Sequence, residues 1–529
     1  MINEESVGKK LGNGTLRLSE SPIIAPSLPI PGKDEILVLP LGGCDAIGMN
    51  TTLYGHDGKW IIVDAGCMFV DEDEHPGVEH LVPDLKFLAR HKESILGLVI
   101  THGHEDHLGG VQHLVRLIRP IIHATPFAAA IVRDRLEEHR LLAGTKFRTH
   151  APGESFSIGP FRIETVRAAH SIPEATMLAI STPAGTVLHT GDWKFDPEPI
   201  LGKDTDVAAI RRIAAKGVLA MACDSTNAAT EGSTPSEAVV RDGFAKELAE
   251  HRGAVVVACF ASNIARVKAI AIAARAAGRR VAVAGRSLDK MTGHARKLGH
   301  LAGVPEFVPM EEIGRLPRRQ RLIICTGTQG EERAALGKIA FGQHRWLKVV
   351  EGDSAFFSAR RIPGNEEAID ALQERLRKDG IDVVTPADAP IHVSGHPSRD
   401  DLRRLMRLVR PDCVLPIHGT PTHISQHAEL AISEGAVAPV RPANGSLVAL
   451  RKGRPPLIRA RLRVGILGWD GKRLASIGAD GRLVAEREKI AENATNERTK
   501  NERNEKPVAA KAEKTQGRRR GNSRKRIAA

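Results

Sequence analysis

The ten residues 101–110, Thr-His-Gly-His-Glu-Asp-His-Leu-Gly-Gly, constrain this chain more than any other stretch. They follow a short apolar run rich in branched side chains, which predicts a buried strand leading into a loop. Histidines and carboxylates that are buried on such a loop each need a polar partner, and a metal ion supplies one to all of them. We expect His102 and His104 to bind one divalent ion, and Asp106 and His107 to turn towards a second.

The chemistry of these side chains limits the metal. Imidazole nitrogens combined with carboxylate oxygens favour zinc, with manganese as the alternative. The sequence therefore predicts two divalent ions per chain, with zinc as the expected metal. The competing interpretation, a polar loop without any ligand, leaves the density of histidines unexplained.

Length and composition limit the class of protein. At 529 residues the chain is too long for one ordinary core, so two or three domains are expected. No apolar run approaches the roughly 18 residues of a membrane span, and the first residues lack the pattern of a secretory signal. We expect a cytoplasmic protein with no membrane partner. Six scattered cysteines without a Cys-x-x-Cys pair predict neither disulfides nor a cysteine zinc site.

The chain is basic, with a formal net charge of +13 that lies largely between positions 500 and 529. Such a balance favours a polyanionic partner such as RNA. Residues 486–529 have almost no apolar content and are predicted to be a disordered basic tail. The tail either contacts RNA or is simply solvated, and we favour contact with RNA.

His-x-His-x-Asp-His after a hydrophobic strand resembles the signature of the metallo-beta-lactamase superfamily, and the whole ten-residue string is similar to that of the ribonuclease J family. The resemblance implies further roles. Asp64 would support a metal ligand without binding metal, although it could also be an ordinary turn residue. His170, in a His-Ser-Ile-Pro string, would be the third histidine of the first ion. Asp192 would bridge both ions, and His418, in Pro-Ile-His-Gly, would complete the second site.

A long insertion separates Asp-Ser-Thr-Asn at 224–227 from the last candidate histidines. Its apolar runs alternate with alanine-rich helical stretches, a pattern that predicts βαβ units around a parallel sheet. The insertion, with its Phe-Ala-Ser-Asn at 260–263, resembles the beta-CASP family, whose members cut nucleic acid. The implied fold class is α/β, a metallo-beta-lactamase αββα sandwich with an inserted beta-CASP α/β domain.

The resemblance also implies a pocket for a 5′-monophosphate or a backbone phosphate. If residues 391–396 form a strand, the side chains of His392, Ser394 and His396 line one wall. His396 would lie beside the scissile phosphate, and the predicted catalytic residues are therefore His396, Asp192 and Asp64. The residues predicted to bind RNA phosphate are Ser262, Asn263, His392, Ser394, Gly395 and His396.

These patterns divide the chain into six predicted segments. They are a flexible arm (1–34), the first part of the metallo-beta-lactamase domain (35–225), the beta-CASP insertion (226–385), the return segment (386–450), a short C-terminal region (451–485) and the basic tail (486–529).

The resemblance implies a phosphodiester hydrolase of RNA processing and decay. The expected activity is 5′-to-3′ exoribonuclease with endoribonuclease activity, on single-stranded RNA that preferably carries a 5′-monophosphate. A homodimer or homotetramer is expected, with other ribonucleases or a helicase as further partners. Two alternatives stay open. A catalytically weak RNA-binding subunit would be expected to have lost metal ligands, and a small-ester hydrolase of the same superfamily would need neither the insertion nor His396.

Overall fold

The computed structural model describes residues 23–24, 27–70, 74–362, 364–435, 440–478 and 480–484. Most of the predicted arm 1–34 and all of the predicted tail 486–529 lie outside the described residues. None of the helices in the described part of the chain has the length and apolar character that a membrane span requires.

The first layer of the sandwich is a nine-stranded sheet. The strand predicted before residue 101 is confirmed within it as Ile95–Val99. The apolar runs at 36–41, 51–54 and 60–63 form strands of the same sheet, and their residues face a core on both sides of it. In spatial order the strands are Ile23–Ile24, Leu457–Arg461, Ser446–Leu450, Ile36–Gly42, Thr51–His56, Lys59–Val63, Ile95–Val99, Ile122–Ala124 and Phe147–Thr149.

The second layer is a six-stranded sheet that packs face to face on the first. Val38 and Val63 from one sheet share an apolar core with Ile163, Leu178 and Leu415 from the other. The strands in spatial order are Ser155–Ile158, Phe161–Arg167, Thr176–Thr182, Gly185–His189, Ala220–Asp224 and Val414–Ile417.

Helices cover both outer faces of the sandwich and complete the αββα arrangement. In the helix at 111–118, Val111, Leu114 and Val115 pack against the outer face of the first sheet. The helices on that side are Lys86–His91 (3-10), Glu105–Leu108, Val111–Ile118 and Pro126–Glu138. Those on the outer face of the second sheet are Val207–Ala214, Arg399–Val409 and Pro421–Ser433.

The predicted parallel sheet of the insertion is also confirmed. Five strands, all paired in parallel, lie in the order Arg280–Ala284, Arg321–Cys325, Val255–Ala258, Ser354–Phe357 and Asp382–Val384. Parallel strands require crossover connections, and helices supply them here. The helical segments are Glu237–Glu250, Ile264–Ala276, Arg286–Lys297, Met310–Ile313, Arg318–Gln320 (3-10), Ala335–Ala340 and Glu366–Lys378.

Residues 457–476 form strands that pack with the first part of the sandwich domain. Leu457–Arg461 joins the nine-stranded sheet, and Ile466–Trp469 pairs with His80–Pro83 in a small sheet. That small sheet also contains Met68–Phe69 and Leu474–Ser476. All six cysteines are buried. The exact limits of the six predicted segments stay a prediction.

Candidate metal centre

Both sheets of the sandwich direct polar residues to one edge. In the first sheet, the parallel strands Lys59–Val63 and Ile95–Val99 end just before Asp64 and the loop at 101–107. In the second sheet, three parallel neighbours contribute the remaining residues after their carboxyl ends, namely Gly185–His189 (Asp192), Ala220–Asp224 (Asp224 as its last residue) and Val414–Ile417 (His418). Because carboxyl ends of parallel strands lie side by side, residues far apart in sequence meet there.

The first group of ligand atoms comes from three histidines and an aspartate. His104 Nδ1 lies 3.1 Å from His102 Nε2 and 3.0 Å from His170 Nε2. Asp192 Oδ2 lies 3.5 Å from His102 Nε2 and 3.6 Å from His170 Nε2. Ligands placed tetrahedrally around zinc lie about 3.3–3.6 Å apart, given bonds of about 2.0–2.2 Å. The spacing therefore fits one zinc-sized ion.

The second group is formed by Asp106, His107, Asp192 and His418. Asp192 Oδ1 lies 3.1 Å from His107 Nε2 and 3.5 Å from His418 Nε2. Asp106 Oδ2 is 3.5 Å from each of the same two nitrogens. All seven residues predicted as metal ligands thus fall into two groups, each with ligand atoms within 4.8 Å of one another.

Asp192 joins the two groups, with one carboxylate oxygen directed to each. It is 2% exposed, and among the described residues neither oxygen has a hydrogen-bond partner. Both ring nitrogens of His418 are likewise buried without a hydrogen bond from the described part of the chain. A buried carboxylate needs compensation, and imidazole and carboxylate ligands suit zinc. The residues present therefore fit divalent metal ions.

The protonation of the three histidines in the first group agrees with metal binding. Burial lowers the pKa of His102 and His170 well below the usual range, so both rings are neutral and can offer a nitrogen lone pair. Burial opposes ionisation of Asp192, but the neighbouring His107 and His418 outweigh it and hold the pKa of that carboxyl well below its usual range.

Asp64 supports the ligand loop from behind. Its backbone has a positive φ of 61°, which is unusual for a residue with a side chain. Its carboxylate accepts hydrogen bonds from the Thr101 backbone N–H and hydroxyl, both at 2.8 Å, and lies 2.7 Å from His107 Nδ1. A carboxylate acceptor of this kind fixes the ring orientation and tautomer of a metal-binding histidine.

The segment 391–396 carries the predicted phosphate-binding residues, but the expectation that it forms a strand is wrong. It follows an irregular path, so the alternation of a strand does not place its side chains. His392 Nδ1 lies 3.1 Å from Arg266 Nη1, whereas Ser394 Oγ accepts a 2.8 Å hydrogen bond from Asn227. The Gly395 carbonyl accepts a 2.7 Å hydrogen bond from His170 Nδ1. The path is irregular because backbone carbonyls of this segment accept hydrogen bonds from side chains and not from a neighbouring strand.

Ser262 and Asn263 lie beside the same region. The backbone N–H of Ala265 donates to the Ser171 carbonyl at 3.0 Å, which brings the start of helix Ile264–Ala276 against the loop after His170. Asn263 Oδ1 caps that helix by accepting the Arg266 N–H at 2.8 Å. Their contact with RNA phosphate stays a prediction.

Asp224 is a functional candidate that the sequence reasoning missed. Its Oδ2 lies 2.8 Å from His396 Nδ1, and its Oδ1 accepts hydrogen bonds from Thr226. Burial disfavours the charged ring of His396, but Asp224 and Asp192 outweigh it and raise the pKa of His396 to about 9. Asp224 ends a strand at the polar edge, and that position could have identified it.

Two other residues near the centre were also missed. Asn50 Nδ2 lies 3.4 Å from Asp106 Oδ2, and Arg360 Nη1 donates to Asn227 Oδ1 at 3.1 Å. Neither lies in a recognisable motif. Arg360 brings a cation next to the side chain that holds Ser394, where a phosphate would need positive charge.

Comparisons with protein families agree with this architecture. Residues 46–233 match the Metallo-beta-lactamase superfamily, and residues 252–376 match the beta-CASP domain of ribonuclease J. Residues 389–441 match the Zn-dependent metallo-hydrolase RNA specificity domain. A solved structure of a protein of unknown function from Enterococcus faecalis shares the fold, with a TM-score of 0.56 and 14% identity over 79% of this chain and 100% of that chain.

Individual proteins are similar over most of the chain. Ribonuclease J of Sinorhizobium meliloti is 41% identical over 429 residues, which are 80% of this chain and 76% of that protein. Ribonuclease J of Mycolicibacterium smegmatis is 41% identical over 86% of this chain and 81% of that protein. Ribonuclease J of Thermus thermophilus is 36% identical over 74% and 69% of the two chains, respectively.

The fold and the site define a nucleic-acid hydrolase of the metallo-beta-lactamase superfamily that carries a beta-CASP insertion. Within that class, identity at this level over more than two thirds of a relative is decisive: the chain belongs to the ribonuclease J family. It is therefore a metal-dependent ribonuclease with RNA as its partner. The small-ester alternative does not account for the beta-CASP domain.

Proposed function

We propose that this protein is a 5′-to-3′ exoribonuclease with additional endoribonuclease activity, acting on single-stranded RNA with two zinc ions per chain. The observation that carries the proposal is the position of Asp192, whose two oxygens each face a separate group of histidines. His102, His104 and His170 would hold one ion with Asp192. Asp106, His107 and His418 would hold the other with the same carboxylate.

When bound, divalent ions activate a water nucleophile and neutralise charge on the phosphate. The chain's own residues act around that chemistry. Asp224 accepts the hydrogen bond from His396 Nδ1, which leaves Nε2 as the nitrogen that can donate a proton to the leaving oxygen. Asp64 holds the ring of His107 in one orientation. Because the attacking oxygen comes from water, no 2′-hydroxyl is consumed, and the products carry 5′-phosphate and 3′-hydroxyl ends.

The preference for a 5′-monophosphate rests on the residues around Ser394 and His396. Ser262, Asn263, His392 and Gly395 complete the proposed pocket. Hydroxyl, amide and imidazole groups fix a phosphate without reading bases, so the pocket would set the register of the RNA and not its sequence. A pocket next to the ions favours release of single nucleotides from the 5′ end, while RNA that threads past it is cut internally.

The setting of the activity is part of the same proposal. The protein would act in the cytoplasm in ribosomal RNA processing and messenger RNA decay, as a homodimer or homotetramer, with other ribonucleases or a helicase as partners. The rival proposal, a catalytically weak RNA-binding subunit, gains no support from the site, because all seven predicted ligand residues are grouped there.

The test uses one 5′-labelled single-stranded RNA that carries either a monophosphate or a triphosphate. Intact protein and His104→Ala are compared, with zinc and manganese supplied separately. Release of labelled mononucleotide, faster from the monophosphate and lost in the variant, is the expected result. Dominant internal fragments would make the enzyme chiefly an endonuclease, and an absence of cleavage with both metals would favour the RNA-binding subunit.

A further inference from the structure

Arg266 is a fully buried cation outside the metal centre. It lies in the first turn of helix Ile264–Ala276 and is 0% exposed. Glu237, itself 5% exposed, neutralises it with a 2.5 Å contact between Oε1 and Nε. A buried ion pair persists only when its remaining hydrogen-bonding groups are also satisfied. Each nitrogen of this guanidinium has an acceptor.

The acceptors of Arg266 come from segments that are far apart in sequence. Its Nη1 donates to the backbone oxygen and the hydroxyl of Ser358, at 2.9 and 2.7 Å. Its Nη1 and Nη2 also donate to the carbonyls of Ile391 and Val393, at 3.3 and 3.2 Å. Ser358 Oγ donates to the same Ile391 carbonyl at 2.6 Å. Arg266 therefore fixes the path of the chain as it returns from the insertion to the sandwich.

Two residues after Val393, that path touches the metal centre. The Gly395 carbonyl accepts a hydrogen bond from His170 Nδ1 at 2.7 Å. A Cβ at Gly395 would lie 2.8 Å from His170 Cε1, so the backbone runs directly against the imidazole ring. The carbonyl that orients His170 thus lies only two positions after a carbonyl that accepts a hydrogen bond from Arg266.

Glu237 connects its ion pair with Arg266 to the segment that follows Asp192. Its backbone N–H donates to Asp196 Oδ2 at 3.1 Å, and Lys194 Nζ lies 3.1 Å from that oxygen. Lys194 and Asp196 are buried and follow Asp192 closely in sequence. Four buried charges, two of each sign, therefore link the segment after Asp192 to the segment before Gly395.

We infer that Arg266 and Glu237 form a positioning pair that sets the orientation of His170 from outside the metal centre. The inference rests on the proposed function, since it requires His170 to bind an ion. Groups that orient a ligand histidine change metal affinity by about 10- to 100-fold when they are lost. Lysine cannot replace arginine here, because a single ammonium group lacks the planar fork that reaches Ser358, Val393 and Glu237 together.

The test compares full-length Arg266→Lys with the matched variant Arg279→Lys. Arg279 is also a buried arginine of the insertion, 5% exposed. It donates to the carbonyls of His251, Gly253 and Arg321, at the amino ends of strands whose carboxyl ends lie on the opposite edge of the sheet. Both substitutions therefore remove a guanidinium from buried carbonyls, but only one of these sites leads to His170.

The readout is Zn²⁺ affinity, measured by titrating the metal into metal-free protein against a chromophoric chelator, together with the melting temperature and kcat on 5′-monophosphorylated RNA. We expect Arg266→Lys to bind one zinc ion at least tenfold more weakly and to lose at least tenfold in kcat. Arg279→Lys is expected to melt earlier but to match the wild type in zinc affinity and kcat. Equal zinc affinity in folded Arg266→Lys and wild type would overturn the inference.

If Arg266→Lys does not fold, Ser358→Ala replaces it, because this variant keeps the ion pair and removes one hydroxyl. Its zinc affinity is expected to fall about threefold as the Ile391 carbonyl loses a donor, and unchanged affinity overturns the inference. A wild type that binds zinc but cuts no RNA would contradict the proposed function alone, since the zinc comparison still decides the role of Arg266. A wild type that binds no zinc would overturn both.

Discussion

Asp192 and Arg266 are both buried charged residues, and their surroundings satisfy them in opposite ways. The guanidinium of Arg266 is surrounded by a carboxylate, a hydroxyl and backbone carbonyls. The carboxylate of Asp192 accepts no hydrogen bond from the described residues and faces histidine nitrogens on both sides. A buried charge is stable when it is paired or coordinates a metal. The polypeptide alone therefore compensates the charge of Arg266, whereas compensation of the charge in the Asp192 region depends on cations.

The largest effect that tests this contrast is expected for Asp192→Asn. The substitution keeps the size of the side chain but removes the charge that both ion sites share. We expect RNA cleavage to fall by about 10⁴-fold, which is about 5.5 kcal/mol of transition-state stabilisation. Single-turnover rates on labelled RNA measure it. Asp242→Asn, at a side chain 67% exposed, is the control and should cleave normally. A residual rate within tenfold of the wild type would refute a shared role for Asp192.

Metal removal is expected to lower the free energy of unfolding through the Asp192 region, which depends on cations. An ion held at a thousand times its dissociation constant stabilises the folded state by about 4 kcal/mol. A chelator should therefore lower the free energy of unfolding of the wild type by about that amount, as measured by urea denaturation with and without zinc. Asp192→Asn should respond much less. A similar response in both proteins would show that the stabilising ion binds elsewhere.

A smaller loss, about 100-fold in kcat, is expected for Asp224→Asn. The amide keeps the shape of Asp224 but provides a weaker acceptor for His396 Nδ1. Metal content, measured by elemental analysis after dialysis, should stay at the wild-type level. That measurement is needed because Asp224, His396 and His418 also come within 4.8 Å of one another. Loss of an ion would make Asp224 a ligand and not a hydrogen-bond acceptor.

The contrast between the two regions also explains what could be predicted from the sequence. His102, His104, Asp106 and His107 lie within six positions, so a local pattern reveals them. The parallel sheet of the insertion followed from alternating apolar and helical stretches. These predictions depend on short-range periodicity and on motif spacing, which neighbouring residues show without any knowledge of tertiary contacts.

Other features depend on contacts between distant residues, and no local pattern reveals them. Arg266 is one of three basic residues in the alanine-rich helix Ile264–Ala276, and arginine is usually exposed to solvent. Its burial arises from Glu237 and Ser358, which lie 29 and 92 positions away. The same contacts explain why the strand expected at 391–396 is absent from this described segment, since carbonyls there bond to Arg266 instead of to a neighbouring strand.

Glu35 provides the smallest test, because it is a buried charge that polypeptide groups satisfy and that belongs to neither group of metal ligands. It is 2% exposed, and its carboxylate lies 2.9 Å from Arg451 Nη2 and 2.9 Å from Arg459 Nη1. If the polypeptide satisfies the charge of Glu35 without a ligand, as it does for Arg266, substitution of Glu35 is expected to lower the free energy of unfolding. Because it lies outside the groups that face Asp192, its loss must leave RNA cleavage unchanged.

The expected effect of Glu35→Gln is a decrease of about 1–2 kcal/mol in the free energy of unfolding at pH 7, since both arginines are partly exposed and water screens the pair. Hydrogen bonds from Arg459 lower the pKa of Glu35 from 4.5 to about 2. The stabilisation is therefore complete above pH 4.5 and disappears as the pH falls towards 2, because the carboxylate is then protonated in both states. Urea denaturation of both proteins at several pH values measures this difference. A difference that does not vary with pH would assign the effect to packing and not to charge, and a loss of cleavage would place Glu35 among the residues that support the metal centre.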